Sequence, residues 1–337
     1  MTRVVRFHET GGPEVLRVED LEVATPGPNE IRINIDAIGL NRAEAMFRSG
    51  IYLEEPRLPA RLGYEAAGTV EAIGSGVTDF AEGDPVSVVP AFSLNDYGMY
   101  AEQAVVPAAA AVRTPAGLDT IHAAAVWMPY LTAYGVLIDI GRLTYDDPVI
   151  IPAASSSVGL AAIQIANSIG AISIATTRTS AKKAALLEAG AAQVIVTEEQ
   201  DLVAEVKRIT GDRGARIVFD PVGGPQVEKL AQAMARFGTL FVYGALSGQP
   251  TPFPTIAAMN KALSLRGYVL FEISRDPQRL ARACAYVTGG LESGALKPTI
   301  AKTFTLDEIV EAHRYMESNQ QFGKIVVTVP RRTDESG

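Results

Sequence analysis

Hydrophobic and polar residues follow two different patterns along this chain. In the first third, short apolar runs such as TRVVRF and EIRINIDAIGL are separated by turn-forming stretches such as TPGPNE, which predicts many short strands. From about Leu118 onward, apolar strands alternate with helical patterns, beginning with DPVIIPAA and SVGLAAIQIANSIG. The first pattern is typical of a barrel or sandwich, and the second of right-handed βαβ units around a parallel sheet.

The end of the chain returns to the first pattern with the apolar strand GKIVVTV. We therefore predict an α/β protein of two domains. A discontinuous β-rich domain comprises residues 1–123 and 268–337, and a doubly wound parallel-sheet domain spans residues 124–267. A length of 337 residues agrees with two domains, because a single hydrophobic core rarely serves so many.

Composition and charge exclude several classes of protein. The net charge of −8 is spread along the chain, so we expect neither a nucleic-acid nor a membrane partner. The single cysteine, Cys284, excludes an intrachain disulfide and a multi-cysteine zinc site. No apolar run approaches the ~20 residues of a membrane span, and the opening MTRVVRFHETGG does not resemble a signal peptide. These features predict a cytoplasmic protein.

The stretch PAASSSVG is where the first strand of the alternating region meets its helix. A dinucleotide-binding turn holds the pyrophosphate at such a helix N-terminus, where backbone N–H groups face the anion. Of the GxGxxG glycines only the last, Gly159, is present, and Ser155, Ser156, Ser157 and Val158 precede it. Serine hydroxyls donate to phosphate oxygens, provided that the backbone avoids the φ > 0 conformations of glycine. From this segment alone, phosphate binding and simple helix capping are both open.

The end of the next strand, IATTRTSAKK, indicates which dinucleotide is bound. NAD-preferring folds place an Asp or Glu about 20 residues beyond the turn, on the ribose hydroxyls. This segment has no carboxylate and offers Thr177, Arg178, Ser180 and Lys182 instead. A guanidinium forms paired hydrogen bonds to a phosphate, so the segment predicts NADP(H). The alternative for Lys182 and its neighbour Lys183 is the solvated face of a helix.

Longer stretches distributed along the chain include TGGPEVLRVED, GLNRAEAMFRSGIY, GYEAAGTVEAIGSGV, YLTAYGVL, SSSVGLAAIQIA, VFDPVGG and the terminal GKIVV. In residues, spacing and order they resemble the medium-chain dehydrogenase/reductase superfamily, and within it the zinc-independent quinone oxidoreductase (zeta-crystallin-like) branch. The resemblance covers nearly the whole chain. It implies a GroES-like catalytic domain, a Rossmann domain that binds NADP(H), and a homodimer.

The chain departs from the zinc-dependent relatives, which carry a cysteine near position 41 and a Gly-His-Glu segment. It has Asn41 and Gly63-Tyr64-Glu65 at those places. Its histidines, His8, His122 and His313, are not at ligand spacing, and a catalytic zinc needs about three well-placed ligands. We therefore predict no metal, and for Glu65 we expect a buried, hydrogen-bonded structural role.

The resemblance also implies the reaction and the residues that carry it. Without a metal, we expect hydride transfer from NADPH to a quinone or an α,β-unsaturated carbonyl, because hydrogen-bond donors can stabilise the enolate oxygen that develops. Asn41 and Tyr52 match catalytic positions, with Tyr52 as a proton donor or orienting group and loop packing as its alternative. The further cofactor contacts implied are Thr132, Gly244, Ala245, Leu246, Val269, Leu270, Phe271, Asn319 and Lys324.

Two other functions are compatible with the sequence. One is an enoyl-thioester reductase of fatty acid or polyketide type, which would need an open groove with cationic residues at its mouth. The other is a non-catalytic NADPH-binding protein, like the relatives recruited as lens crystallins. Tight NADPH binding without turnover would favour that second alternative.

Overall fold

The computed structural model describes residues 1–330, and the chain forms two compact units. The first comprises Met1–Met128 and the C-terminal part of the chain from Pro298, and the second comprises Pro129–Lys297. The first unit is therefore discontinuous along the sequence. Among residues 1–330, none of the helices has the length and apolar character that a bilayer crossing requires.

The first unit is built mainly from short strands joined by turns. Its strands before residue 128 are β1 (Thr2–Phe7), β2 (Arg17–Leu21), β3 (Glu30–Gly39), β4 (Ala60–Arg61), β5 (Ala66–Ile73), β6 (Pro85–Val88), β7 (Gln103–Pro107) and β8 (Ala111–Arg113). Its helices there are α1 (Arg42–Arg48) and α2 (Thr120–Ala123), with 3-10 turns at Pro13–Val15 and Ala108–Ala110. α1 begins after Asn41, whose N–H donates to the Glu44 carboxylate at 2.6 Å as in a capping box.

The second unit alternates strands and helices. Its strands are β9 (Pro148–Ile151), β10 (Ile172–Thr177), β11 (Gln193–Val196), β12 (Ala215–Asp220), β13 (Met234–Val242) and β14 (Ser264–Gly267). Its first helix, α3 (Trp127–Tyr134), begins two residues before the unit does. The helices that follow are α4 (Ser157–Ser168), α5 (Lys183–Glu188), α6 (Leu202–Thr210), α7 (Gln226–Ala233), α8 (Thr255–Lys261), α9 (Phe271–Ser274) and α10 (Pro277–Glu292). A π-helical segment, Gly135–Ile140, continues α3, and a 3-10 turn, Ser180–Lys182, precedes α5.

The C-terminal segment completes the larger sheet of the first unit. It contains β15 (Ile300–Thr305), a 3-10 turn (Leu306–Glu308), α11 (Ile309–Glu317) and β16 (Lys324–Thr328). The strand order is β15-β16-β3-β5-β6-β8, with β7 also paired to β3, and a separate sheet has the order β2-β1-β4. β16 pairs antiparallel with β3, with Val326 opposite Gly39. This register brings Lys324, at the start of β16, to the residues that follow β3.

The six strands of the second unit are all parallel and have the order β11-β10-β9-β12-β13-β14. Counted from β9, this is 3-2-1-4-5-6, the Rossmann order, so the predicted fold class is confirmed. All four residues of β9 are buried, as expected for a strand covered on both faces. The strand order reverses between β9 and β12, and ligands of such sheets bind at the carboxyl ends of the strands at that switch point.

The boundaries of the compact units differ from the predicted domain boundaries. The first lies after Met128 rather than after residue 123, and the second lies after Lys297 rather than after residue 267. The segment 268–297 stays with the second unit because α10 packs against it. The ring of Tyr286 lies 5.1 Å from that of Tyr134, and Arg279 forms an ion pair with Asp139.

Candidate active site

The turn after β9 is tight, with serines where a dinucleotide-binding turn usually has glycines. Its one positive φ is at Ala153 (48°), so Ser155, Ser156 and Ser157 keep backbone conformations that side chains tolerate. Ser156 caps α4, since its Oγ accepts a hydrogen bond from the Gly159 N–H at 3.0 Å. A Cβ at Gly159 would lie 2.6 Å from the carbonyl oxygen of Ala154, so only glycine lets the helix pack this closely on the strand end.

The start of α4 is able to hold an anion. The N–H groups of Ser157 and Val158 belong to the first turn and have no carbonyl acceptor within the helix. All four residues from Ser155 to Val158 are partly exposed. The aligned peptide dipoles of the helix place partial positive charge at this end. Serine hydroxyls and backbone N–H groups together therefore offer donors for a phosphate group.

The predicted residues at the end of β10 lie beside this turn. Lys182 Nζ donates to Ser155 Oγ at 3.1 Å, and Thr177 Oγ1 donates to the carbonyl of Thr179 at 3.2 Å. Burial, and secondarily the neighbouring charge of Arg178, lower the pKa of Lys182. Arg178 is exposed, and within residues 1–330 its guanidinium forms no ion pair. Ser180 opens the 3-10 turn that leads into α5. The strand end is thus a cationic site joined to the serine turn.

Asp220, at the end of β12, is a buried residue of the switch point that the sequence analysis did not single out. Its carboxylate accepts hydrogen bonds from the N–H groups of Val222 at 2.9 Å and Gly223 at 3.0 Å, and from Gln226 Nε2 at 3.0 Å. Burial raises its pKa, and these hydrogen bonds oppose the shift. Gly223 and Gly224 both have positive φ, 62° and 71°, so the loop needs glycine there. In the sequence, the segment VFDPVGG, in which two residues separate the Asp from two glycines, was the available indication of this loop.

The loop after β13 carries Gly244, Ala245 and Leu246. A Cβ at Gly244 would lie 2.5 Å from the carbonyl oxygen of Pro221, and the Leu246 N–H donates to that same oxygen at 3.1 Å. The loops after β12 and β13 are therefore locked together at the carboxyl edge of the sheet. Ala245 and Leu246 are exposed there.

The other predicted contacts of the second unit lie in separate elements. Val269 and Leu270 join β14 to α9, and Phe271 begins α9 with its ring 4.1 Å from the guanidinium carbon of Arg275. Because β14 runs parallel to β13, these residues follow the same edge of the sheet. Thr132 follows no strand and is buried in α3.

In the first unit, Lys324 connects two residues singled out from the sequence. Its Nζ donates to Asn41 Oδ1 at 2.7 Å and to Glu65 Oε2 at 2.6 Å, and all three side chains are buried. The other oxygen of Glu65 accepts from the Met128 N–H at 3.1 Å. Burial raises the pKa of Glu65, and the Lys324 ammonium opposes the shift. The buried, hydrogen-bonded role expected for Glu65 is confirmed.

The amide of Asn41 has little capacity left for a ligand. Its Nδ2 donates to the carbonyl of Gly39 at 3.0 Å and to Glu44 Oε1 at 3.2 Å, and its Oδ1 accepts from Lys324. Both amide protons are therefore engaged within the protein, and one lone pair of Oδ1 remains. Any contact from this side chain to a ligand is one in which Asn41 accepts the hydrogen bond.

Tyr52 lies half-buried in the segment after α1, beside a second tyrosine. Its ring centroid is 6.3 Å from that of Tyr64, and the two hydroxyls are hydrogen-bonded to each other. Tyr64, which stands where zinc-dependent relatives have the histidine of Gly-His-Glu, is fully buried. Burial raises the pKa of Tyr64, so this phenol keeps its proton.

Asn319, predicted together with Lys324 as a cofactor contact, has a different environment. It is an exposed residue with φ of 59° that follows α11. Its Oδ1 accepts from Arg42 Nη2 at 2.6 Å, and the same guanidinium nitrogen donates to the carbonyl of Met316 at 2.8 Å. Asn319 is thus anchored to the start of α1, whereas Lys324 is engaged by Asn41 and Glu65.

A buried network behind α1 was not found from the sequence. Arg48 Nη1 lies 2.8 Å from His313 Nδ1, and a guanidinium only donates, so His313 carries its proton on Nε2 and faces the Tyr100 hydroxyl at 3.2 Å. Tyr100 donates to Glu44 Oε2 at 2.7 Å. Burial, with Arg48 and Arg42, lowers the pKa of His313 to about 3. The N-x-x-E spacing at the start of α1 indicates Glu44, but no local pattern joins His313 to a residue 265 positions away.

The donor set in the first unit does not fit a catalytic zinc. Residues 1–330 contain no group of three or more His, Cys, Asp and Glu side chains arranged to hold a metal ion. The zinc-ligand positions of the zinc-dependent relatives hold an amide and a phenol, and the carboxylate of Glu65 is paired with Lys324. The available chemistry is that of a phenol, an amide oxygen and hydrogen-bond donors.

Two family models match the two parts of the chain. The alcohol dehydrogenase GroES-like domain matches residues 27–116, and the zinc-binding dehydrogenase model matches residues 157–285. The human quinone oxidoreductase is 32% identical over 315 residues, which are 93% of this chain and 93% of that protein. The 2-haloacrylate reductase of Burkholderia sp is 29% identical over 335 residues, 97% of this chain and 99% of that protein.

The similarity extends to a solved structure that contains a nucleotide. The crystal structure of Escherichia coli quinone oxidoreductase complexed with NADPH has a TM-score of 0.90 and 33% sequence identity to this chain. The match covers 97% of this chain and 99% of that one. Both compact units are therefore included in the likeness.

Proposed function

This chain belongs to the medium-chain dehydrogenase/reductase superfamily, in its zinc-independent quinone oxidoreductase branch, and we propose that it is an NADPH-dependent oxidoreductase that transfers a hydride to a quinone or an α,β-unsaturated carbonyl. The human and Escherichia coli relatives support the quinone as acceptor. The 2-haloacrylate reductase supports acceptors whose carbon–carbon double bond is conjugated with a carboxyl group.

The observation that carries the proposal is the contact between the serine turn and the cationic end of β10. Lys182 Nζ donates to Ser155 Oγ at 3.1 Å, next to the switch point of the sheet. A dinucleotide across the carboxyl ends of β9 and β10 would place its pyrophosphate at the start of α4. Its adenosine end would then meet Arg178 and Lys182. The residues present therefore fit the cofactor.

The charge at the end of β10 favours NADPH over NADH. Burial lowers the pKa of Lys182, and the neighbouring charge of Arg178 lowers it further, so a 2′-phosphate lying between the two cations would relieve their repulsion. Thr177 and Ser180 supply hydroxyl groups alongside. No carboxylate stands in this segment to repel the phosphate.

The chain's own residues supply the proton and the orientation. When bound, the nicotinamide supplies the hydride. Tyr52 donates a proton to the reduced acceptor, because a half-buried phenol can reach a ligand and exchange with solvent. Asn41 accepts a hydrogen bond from the bound ligand through the remaining lone pair of its Oδ1. Lys324 and Glu44 fix the orientation of the Asn41 amide.

The test follows NADPH oxidation with quinones, enals, enones, 2-haloacrylates, enoyl thioesters and simple ketones. We expect turnover with quinones or conjugated carbonyls that a metal chelator leaves unchanged. Turnover confined to simple ketones and abolished by chelator would contradict the proposal. Turnover with enoyl thioesters alone would support the thioester reductase, and tight NADPH binding without any turnover would support the non-catalytic alternative.

We further propose that the protein is a homodimer. β14 is an edge strand whose neighbour within residues 1–330 is β13 alone. Phe253, Ile256 and Met259 expose large apolar side chains on the segment that precedes it, each at least 63% exposed. Analytical ultracentrifugation should give twice the mass of 35.8 kDa. A monomer at micromolar concentration would contradict the proposal.

A further inference from the structure

Tyr64, the buried tyrosine beside Tyr52, is not itself the proton donor of the proposed reaction. We propose that Tyr64 is a positioning residue that strengthens Tyr52 as an acid, by donating a hydrogen bond to the Tyr52 oxygen as that phenol gives up its proton. Glu54 opposes this effect. The inference rests on the proposed function, in which Tyr52 protonates the reduced acceptor.

A row of aromatic side chains fixes Tyr64 in place. The ring centroids of Tyr64 and Phe92 are 5.8 Å apart, and those of Phe92 and Tyr97 are 5.7 Å apart. Tyr64 is 0% exposed and Phe92 is 5% exposed, so neither ring can turn out to solvent. The backbone is held as well, because the Tyr64 N–H donates to Glu44 Oε1 at 2.9 Å. The hydroxyl of Tyr64 therefore stays beside that of Tyr52.

The Tyr64 hydroxyl has two neighbouring oxygens and one proton to share between them. One is the hydroxyl of Tyr52, and the other is Glu54 Oε1, at 3.4 Å. Glu54 is itself held by the loop 93–95, where the Leu94 N–H donates to its Oε1 at 2.9 Å and Ser93 Oγ donates to its other oxygen. The carboxylate therefore stays beside the pair of phenols.

The hydrogen bond from Tyr64 to Tyr52 becomes stronger as Tyr52 reacts. Burial keeps Tyr64 protonated, so its O–H is available as a donor throughout the working pH range. When Tyr52 transfers its proton to the acceptor, a negative charge appears on its oxygen. Because a phenolate is a stronger base than a carboxylate, that charge attracts the Tyr64 proton more strongly than Glu54 Oε1, 3.4 Å away, does. Tyr64 keeps its proton, and Tyr52 regains one from solvent after the product leaves.

Tyr64 and Glu54 therefore have opposite effects on the pKa of Tyr52. A hydrogen bond to the phenolate favours ionisation, whereas the negative charge of Glu54 disfavours it. Tyr64→Phe removes the donor and preserves the buried ring. Glu54→Gln removes the charge and preserves an amide oxygen that can accept from the Leu94 N–H.

The test is a pH titration of the full-length protein labelled at the ζ-carbon of tyrosine with ¹³C, with the Tyr52 resonance assigned through Tyr52→Phe. We expect Tyr64→Phe to raise the pKa of Tyr52 by about one unit, and Glu54→Gln to lower it. Tyr97→Phe, which removes a hydroxyl two rings further along the row, is the matched control and should leave it unchanged. A Tyr52 pKa that is unmoved or lowered in Tyr64→Phe overturns the inference.

Kinetics separate this inference from the proposed function. Tyr64→Phe should lower kcat with a conjugated carbonyl by about tenfold without changing the KM for NADPH, and should cost nothing further when added to Tyr52→Phe. Equal losses in the two backgrounds would mean that Tyr64 acts independently of Tyr52, against the inference. Full activity of Tyr52→Phe would refute the role of Tyr52 in the proposed function. The titration would still test separately whether Tyr64 lowers the pKa of Tyr52.

Discussion

The turn after β9 and the Asn41–Lys324–Glu65 cluster place their polar groups in opposite ways. At the turn, the donors are small side chains and backbone N–H groups within five consecutive residues, and they are partly exposed. In the cluster, a buried ammonium joins side chains that are 259 and 283 positions away along the chain. A local pattern fixes the first arrangement, whereas only the tertiary fold fixes the second.

This difference determines how each region responds to mutation. The turn is supported by β9 and α4, to which the serine side chains contribute mainly the Ser156 cap, so changes there should affect ligand binding more than stability. The cluster contains charges removed from water, so loss of one partner leaves another charge buried without compensation. Mutations in the cluster should therefore cost more stability than mutations in the turn.

Lys324→Met should destabilise the first unit by about 3–5 kcal/mol, because Glu65 would stay buried without its cation. Urea unfolding followed by the fluorescence of the single tryptophan, Trp127, measures this directly, since Trp127 lies in the same unit. Lys302→Met is the control, at an exposed lysine of the first unit whose ammonium contacts the rings of Phe304 and Tyr315, and it should change stability by about 1 kcal/mol or less. Adding Glu65→Gln to Lys324→Met should recover part of the loss. Equal stability of the two lysine variants would contradict the account.

His313 should make the first unit acid-sensitive. The unfolded chain binds a proton at the ordinary histidine pKa of 6.5, whereas the folded chain does so at about 3. Between these values the unfolded state holds more protons, so stability falls as pH decreases, by roughly 1.4 kcal/mol per pH unit. His313→Gln should flatten this slope in urea unfolding between pH 6.5 and 4.5. His122→Gln, at a partly exposed histidine, should retain it, and identical slopes in the two variants would refute the prediction.

Ser156→Ala should have a smaller effect, confined to the cap of α4. Loss of the bond from Gly159 N–H to Ser156 Oγ costs about 1 kcal/mol, or about 2–4 °C in Tm for a unit of this size. Thermal unfolding followed by circular dichroism measures the shift. Ser157→Ala is the matched control, because within the described residues the Ser157 hydroxyl makes no hydrogen bond. Equal shifts in the two variants would show that the cap contributes nothing.

Sequence patterns predicted the second unit almost element by element, because strand and helix periods are local. DPVIIPAA became β9 and IATT became the end of β10. Local periodicity is misleading in one place, because PQVEKLAQAMARFG has a helical pattern up to Gly238. The helix α7 ends at Ala233 instead, because Met234 is extended and begins β13, which pairs with β12. That Ala153 adopts the positive φ of the turn could not be predicted either, since no local preference of alanine favours it.

The first unit was less predictable at the level of individual bonds. The family resemblance indicated Asn41, Tyr52 and Lys324 as positions, but not that Lys324 bonds Asn41. That bond depends on the register of β16 against β3, which joins segments from opposite ends of the chain. The partnership of Tyr64 with Tyr52 likewise depends on the packing of Phe92 behind it.

The most direct test of the central claim, that this sheet edge binds NADPH through its serine turn and cationic strand end, is a fluorescence titration with NADPH and NADH. We predict that the protein binds NADPH more tightly than NADH. Arg178→Ala should weaken NADPH binding by about tenfold and leave NADH binding unchanged. Arg208→Ala, at an exposed arginine of α6, should alter neither. Equal affinities for the two nucleotides, or an Arg178→Ala variant with unchanged NADPH affinity, would contradict the account.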